Sequence, residues 1–210
     1  MKKIYTIGHS NHLSNFFLSL LRKHEITCVV DVRSVPFSKY TPQYNKDDLK
    51  RFLHENKVYY IFMGEELGAR RSDKLLYSSD GNLDFDKVSK TRLFQSGIDR
   101  IKSGIEKGYN IAVMCTEKDP IECHRNILVA RELYRQNIEI NNILENGKIQ
   151  TQEQIEERLL DLYFPNRMQQ TLFDSFGINS DNKELIKKAY IYRNRDIAYN
   201  INDNLVAKVL

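Results

Sequence analysis

The stretch Asn110–Tyr134 constrains the fold of this chain more than any other, because it predicts a buried strand, a polar loop and a helix. Its strand, Ile111–Met114, is apolar at every position, as in strands that a parallel sheet covers on both faces. The Asp119 and Pro120 that follow are typical of a helix N-cap and first helical position. Cys115 therefore lies at a strand's carboxyl end beside a helix start, where open α/β sheets bind ligands.

Strands and helices alternate along the first 165 residues. Four further strands are predicted at Lys3–Ile7, Ile26–Val32, Val58–Phe62 and Ile138–Leu144. Apolar residues at helical spacing fill the intervals, and Gln152–Tyr163 predicts the last core helix. Parallel neighbours require crossover connections, so the pattern predicts a three-layer α/β core over residues 1–165. We expect an open, mostly parallel sheet of the Rossmann-like or rhodanese-like kind, with a C-terminal appendage over residues 166–210.

Size and composition limit the classes of protein that fit. A chain of 210 residues can build one full hydrophobic core, and a net charge of +4 permits an anionic partner through a local basic patch. The chain contains no apolar run long enough for a bilayer and no hydrophobic signal core near its start. Three cysteines without secretory features favour free thiols. We therefore predict a cytoplasmic protein with no membrane partner.

Ionisable residues follow three of the predicted strands. The first strand ends at His9 with Ser10 and Asn11 beside it, the second ends at Asp31 and Arg33, and the central one at Cys115 and Glu117. A carboxylate at the end of an apolar run needs a partner, so we expect an ion pair between Asp31 and Arg33. Because the carboxyl ends of parallel strands share one edge of the sheet, the sequence predicts a single pocket there.

The predicted catalytic residues are Cys115, Glu117, Asp31 and His9. In one mechanism Glu117 and Asp31 act as paired carboxylates, one stabilising an oxocarbenium-like centre or acting as nucleophile while the other moves protons. A nucleoside or a nucleic-acid base would suit this chemistry. The predicted substrate-binding residues are Ser10, Asn11, Arg33, Tyr40, Arg70, His124 and Arg125, with arginines for anions and the loop tyrosine for stacking.

A second mechanism makes Cys115 the nucleophile, as in sulfurtransferases. The helix N-terminus and His9, His124 or Arg125 would stabilise its thiolate, which predicts a low thiol pKa. The acidic side chains of the same loop would repel an anion and count against this alternative. The sequence thus favours a Glu/Asp-dependent or Cys-dependent hydrolase or transferase, with a non-catalytic nucleic-acid or clamp adaptor as the competing class.

A metal centre is a third alternative, built from Cys115, Cys123, His124 and His9. Its spacing matches no usual zinc pattern, and consecutive helix residues such as Cys123 and His124 should point apart. We therefore predict no metal and no cofactor, and interpret Cys123 as a core thiol.

Four ordered motifs carry a resemblance to a known family. They are TIGHSN (Thr6–Asn11), DVRSVPFSKY (Asp31–Tyr40), ELGARR (Glu66–Arg71) and MCTEKDPIECHR (Met114–Arg125). Together, from about Lys3 to about Asp174, they resemble the domain of unknown function family 488. The resemblance implies a cytosolic α/β domain with these motifs in one pocket, and it implies no particular reaction. One departure is Ala69, where a second glycine is expected after Gly68.

The C-terminal part contains two candidate interaction segments. Gln169, Leu172 and Phe173 resemble the short peptide by which bacterial replication and repair proteins bind the sliding clamp, although the two apolar residues could instead fold onto the core. Residues 181–210 interleave basic and aromatic side chains, a pattern of nucleic-acid binding or of an ordinary solvated helix. The sequence as a whole predicts an enzyme acting on a nucleotide, a nucleic-acid base or a related anionic substrate, with DNA processing as an open extension.

Overall fold

The protein is described by a computed structural model that covers residues 2–167 and 178–202. Its centre is one six-stranded sheet. The strands are β1 (Lys3–Gly8), β2 (Cys28–Asp31), β3 (Tyr59–Phe62), β4 (Ile111–Cys115), β5 (Glu139–Ile143) and β6 (Ile149–Thr151). They are ordered β3-β2-β4-β1-β5-β6, and β6 alone runs antiparallel to its neighbour. The apolar strands β1, β2 and β4 therefore occupy the centre, as their continuous burial requires.

Helices cover both faces of the sheet. Within the described residues they are α1 (Ser14–Lys23), α2 (Lys46–Glu55), α3 (Gly64–Leu67), α4 (Phe85–Ser89), α5 (Arg92–Glu106), α6 (Arg131–Arg135), α7 (Gln152–Tyr163) and α8 (Ile178–Ile197). Adjacent residues of β2 point into different cores, since Val29 belongs to the core beneath α1 and α2 whereas Val30 belongs to the core that includes side chains of α5 and α7. This arrangement confirms the predicted three-layer α/β fold.

The helix predicted after β4 is broken near its start. Asp119 caps a short 3-10 turn, Pro120–Glu122, by accepting a hydrogen bond from the Ile121 backbone N–H. Cys123 is then extended, with φ −137° and ψ 137°, before the π-helical segment Arg125–Ala130 leads into α6. The N-terminal signals were present as predicted, but the helix they start ends after one turn.

The C-terminal helix α8 packs on the core. Tyr190 is buried, and its hydroxyl accepts a hydrogen bond from Gln152 Nε2 of α7 at 2.8 Å. Asn194 accepts a hydrogen bond from the backbone N–H of Phe85 at 2.9 Å. The segment with Gln169, Leu172 and Phe173 lies outside the described residues. Among the helices of residues 2–167 and 178–202, none combines the length and the apolarity needed to cross a membrane.

Candidate functional site

The carboxyl ends of β1 and β4 lie side by side, in close backbone contact. His9 N–H donates to Cys115 O at 2.9 Å, and Ser10 N–H donates to Thr116 O at 2.8 Å, so the pairing of the strands continues past their ends. A Cβ atom on Gly8 would lie 1.9 Å from the carbonyl oxygen of Glu117. Only glycine allows this approach, which fixes the loop that carries Glu117.

Asp31 and Arg33 form the predicted ion pair, and it is buried. Arg33 Nε and Nη2 donate to the two Asp31 oxygens at 2.9 and 2.7 Å, and the Arg33 backbone N–H adds a bond of 3.0 Å. Tyr60 OH donates to Asp31 Oδ2 at 2.7 Å. Asp31 is fully buried, and two of its hydrogen bonds fix the guanidinium of Arg33 in a bidentate pair.

His9 supports the same guanidinium from the other side. Its Nδ1 lies 2.8 Å from Ser10 O, an acceptor, so Nδ1 carries the proton. Its Nε2 then accepts from Arg33 Nη1 at 3.1 Å, while the ring stacks on Tyr44 with centroids 4.0 Å apart. Burial, together with the charge of Arg33, lowers the pKa of His9 to about 4. His9 is thus neutral near pH 7, with both nitrogens engaged.

A second cluster joins two thiols and an imidazole. Cys115, Cys123 and His124 each place one potential ligand atom within 4.8 Å of the others. His124 Nε2 lies 3.0 Å from Val32 O and donates to it, so Nδ1 is the nitrogen that faces the thiols. The two sulfur atoms lie 3.7 Å (Cys115) and 3.9 Å (Cys123) from that nitrogen.

The expectation that Cys123 and His124 point apart is wrong. It assumed that both residues belong to one helix, whereas the backbone at Cys123 is extended. A break of this kind turns two consecutive side chains toward the same point. Cys123 is consequently part of the polar cluster, and its sulfur donates a hydrogen bond to Glu117 Oε2 at 2.8 Å.

The two thiols of the cluster differ in their acidity. Burial raises the pKa of Cys115 well above its ordinary value, and the neighbouring Cys123 and Glu117 raise it further. Burial also opposes ionisation of Cys123, but a hydrogen bond with Cys115 and the charges of Arg125 and His124 bring its pKa well below the ordinary value. Burial and the contact with Cys123 raise the pKa of Glu117. For Cys115 the shift is opposite to the one that a nucleophilic thiolate requires.

Both clusters border one polar cavity of about 310 Å³. The predicted residues in its wall are Arg33, Arg70, Cys115, Glu117 and His124. The remaining wall is formed by Ser34, Val35, Ala69, Thr116, Glu122, Cys123, Ile197 and Tyr199. A larger groove of about 870 Å³ lies between α6 and α8, and none of the predicted site residues lines it.

Arg70 is the exposed cation of this cavity. Its guanidinium lies 4.9 Å from the centre of the Tyr199 ring, and its backbone N–H donates to Ser34 Oγ at 2.9 Å. Among the described side chains, those of residues 2–167 and 182–202, no acidic group lies within ion-pair distance of Arg70. Because Arg70 is exposed and its guanidinium contacts the face of an aromatic ring, its N–H donors are available to a ligand.

Several predicted site residues lie away from the cavity wall. Asp31 and His9 lie behind Arg33, and Tyr40 is 96 % exposed on the loop after β2. Ser10 and Asn11 contact each other near the end of β1. Arg125 is fully buried and donates to Lys118 O at 3.1 Å and to Glu117 O. It therefore holds the loop instead of facing a ligand.

Some wall residues were missed because their positions depend on tertiary packing. Tyr199 and Ile197 come from the C-terminal segment, which no local pattern connects with the strand ends. Ala69 could have been found, since it departs from the expected glycine and its side chain borders the cavity. The position that requires glycine for a close backbone contact is Gly68 and not residue 69, because a Cβ atom on Gly68 would lie 2.2 Å from Gly64 O.

The fold and this site define a three-layer α/β protein with a polar cavity at the carboxyl ends of its parallel strands. A family model described as "Domain of unknown function DUF488" matches residues 12–131, which is more than half of the 210-residue chain. The chain belongs to this family. The match contains the last three of the four motifs, and TIGHSN precedes it. Searches of curated proteins and of solved structures found no match.

Proposed function

We propose that the protein is an enzyme acting on a nucleotide, a nucleic-acid base or a related anionic substrate bound in this cavity. The observation that carries the proposal is the wall itself, where the guanidinium groups of Arg33 and Arg70 share one cavity with the carboxylate of Glu117. Anion-binding groups and a proton-transfer group within one pocket are what such a reaction requires.

Arg33 suits the role of a fixed anion donor. Its Nε donates to Asp31, and Nη2 donates to Asp31 and to the Tyr44 carbonyl. One N–H of Nη1 donates to His9. One N–H of Nη1 is left to a ligand in the cavity. A guanidinium held by so many bonds loses little side-chain entropy when it binds, so its direction is set before the substrate arrives.

The nucleotide class follows from Arg70, Tyr199 and the size of the cavity. Arg70 supplies exposed donors suited to phosphate, and Tyr199 supplies an aromatic ring beside it. A volume of about 310 Å³ is near the lower end of small-molecule sites. It suits one nucleoside unit or one extruded base, and a duplex would have to present a single nucleotide to it.

Glu117 is the residue that we assign to proton transfer. In a hydrolysis it would accept a proton from the attacking water as the hydroxyl joins the substrate, and then return that proton to the leaving group. Asp31 is enclosed by Arg33 and Tyr60, so the second carboxylate of the cavity is Glu122 instead. The cysteine-dependent alternative has less support, because burial raises the pKa of Cys115.

Turnover on a panel of nucleosides, nucleotides and single-stranded oligonucleotides tests the proposal. Glu117→Gln should lower kcat by roughly 100-fold or more, the usual contribution of a positioned acid–base group. Arg70→Gln should raise KM for the phosphorylated substrates. The matched controls are Glu25→Gln and Arg92→Gln, which remove the same charges from exposed positions outside the cavity.

Two results would overturn this assignment. Absence of turnover on the whole panel, with oligonucleotide binding that Glu117→Gln leaves intact, would favour the non-catalytic adaptor. Turnover that survives Glu117→Gln but is lost in Cys115→Ser would transfer the chemistry to the thiol and support the sulfurtransferase-like alternative.

A further inference from the structure

We propose that Cys115, Cys123 and His124 bind one zinc-class divalent ion, through two thiolate sulfurs and the His124 Nδ1 nitrogen, with a fourth coordination position open to the cavity. This inference goes beyond the proposed function, since it concerns what the site holds and not which substrate it converts. It rests on the placement of three side chains from the end of β4 and the broken turn after it.

The separations of the ligand atoms fit a tetrahedral ion. Zinc bonds of about 2.3 Å to sulfur and about 2.0 Å to nitrogen place those two atoms about 3.5 Å apart at a tetrahedral angle. In the protein, His124 Nδ1 lies 3.7 Å from Cys115 Sγ and 3.9 Å from Cys123 Sγ. Both nitrogen–sulfur separations thus exceed the tetrahedral value by only a few tenths of an ångström, and the two sulfur atoms lie within 4.8 Å of each other.

The surroundings of the three residues orient them as ligands. His124 Nε2–H donates to the Val32 carbonyl at 3.0 Å, so the lone pair of Nδ1 is directed at the sulfurs. Metal-bound histidines are fixed by such a bond from their other nitrogen. The backbone N–H of Arg125 donates to Cys123 Sγ at 3.4 Å, a contact that stabilises a thiolate.

The fourth position faces the cavity that Cys115, Cys123 and His124 line. Three protein ligands with one open position are typical of catalytic zinc sites, whereas structural sites use four protein ligands. Glu117 Oε2 lies 2.8 Å from Cys123 Sγ, so its carboxylate stands beside that position and could hydrogen-bond a water molecule there. Two sulfur ligands and one imidazole favour zinc or cobalt over magnesium or calcium.

Titration of the metal-stripped, reduced full-length protein with cobalt(II) tests the inference without any substrate. The expected result is one ion per chain, with a thiolate-to-cobalt charge-transfer band and tetrahedral visible bands that zinc removes by displacement. Cys115→Ala, Cys123→Ala and His124→Ala should each weaken binding by at least about tenfold, because losing a ligand should cost no less than the roughly 10–100-fold lost with a residue that only orients one. Cys28→Ala is the control, because Cys28 is equally buried but lies at the start of β2.

A second measurement keeps the test valid if a variant unfolds. Wild-type protein is treated with iodoacetamide in denaturant too dilute to unfold the chain, and the labelled cysteines are identified by mass spectrometry. Zinc should protect Cys115 and Cys123 from labelling and leave the labelling of Cys28 unchanged. The inference is overturned by cobalt binding without a charge-transfer band, or by a cobalt affinity that is the same in the wild type and in each of the three ligand variants. Equal labelling of Cys115 and Cys123 with and without zinc would also overturn it. Each of these results would leave the proposed function of the cavity intact, because none of them involves a substrate.

Discussion

Replacing Asp31 with asparagine tests whether the buried ion pair organises the site. The change keeps the shape of the side chain and removes its charge, which leaves the guanidinium of Arg33, 6 % exposed, without its counter-ion. Asparagine keeps one acceptor oxygen in place of two, so the hydrogen bonding of Arg33 is weakened and not fully abolished.

The expected loss of stability follows from burial. Removing one partner of a buried ion pair costs about 3–5 kcal/mol, because the remaining charge cannot be solvated. Since asparagine retains part of the hydrogen bonding, we expect the lower end, about 3 kcal/mol at pH 7. For a chain of this length that corresponds to a fall in Tm of roughly 6–12 °C.

Urea unfolding followed by circular dichroism measures this effect, with Asp48→Asn as the matched control. Asp48 pairs with Arg51 on the exposed surface of α2, where an ion pair contributes at most about 0.5 kcal/mol. An Asp31→Asn variant that loses less than about 1 kcal/mol, with the same m-value, would refute the idea that Arg33 depends on this carboxylate.

Two further predictions concern the residues around the pair. The pKa of His9 is lowered to about 4, below its ordinary value of 6.5, so the unfolded chain binds the proton more readily. The contribution of neutral His9 to the free energy of unfolding is complete above about pH 6.5 and is lost as the pH falls toward 4, with about 2 kcal/mol lost at pH 5. Urea unfolding at pH 7 and pH 5 should show this loss in the wild type and not in His9→Gln. An equal pH dependence of the two proteins would contradict the prediction. Gly8→Ala should destabilise the fold by about 2 kcal/mol or more, because the new Cβ atom would lie 1.9 Å from Glu117 O. The control is Gly108→Ala, where a Cβ atom has open space but φ is +85°, so that this variant measures backbone strain without a steric clash. Equal losses of stability in the two variants would argue against the clash.

Much of the fold was predictable because its signals are local. The apolar run of β4 and the helical spacing of α7 are each complete within one segment, and α7 has the predicted bounds Gln152–Tyr163. The ion pair between Asp31 and Arg33 was also predictable, since both residues stand at the end of the same strand. By contrast, β6 is three residues long and is formed by pairing with β5, so its own sequence carries little signal.

The site was only partly predictable, for a physical reason. Sequence position shows which residues reach the edge of the sheet, but not which of them face the cavity and which face one another. Asp31 and His9 accept hydrogen bonds from Arg33 and do not face the cavity, and Arg125 donates hydrogen bonds to carbonyl groups of the loop. The meeting of Cys123 with Cys115 depends on a single extended residue inside a segment whose signals predict a helix.

Binding of a nucleoside monophosphate tests the central claim most directly. Calorimetric titration of wild type, Arg70→Gln and Arg92→Gln should show binding to the first and third and a loss of roughly tenfold or more in Arg70→Gln, as expected for a charge-assisted hydrogen bond to phosphate. Added salt should weaken the wild-type interaction more than that of Arg70→Gln. Equal affinity for all three proteins, or no binding to any of them, would contradict the assignment of the cavity as a site for anionic nucleotides.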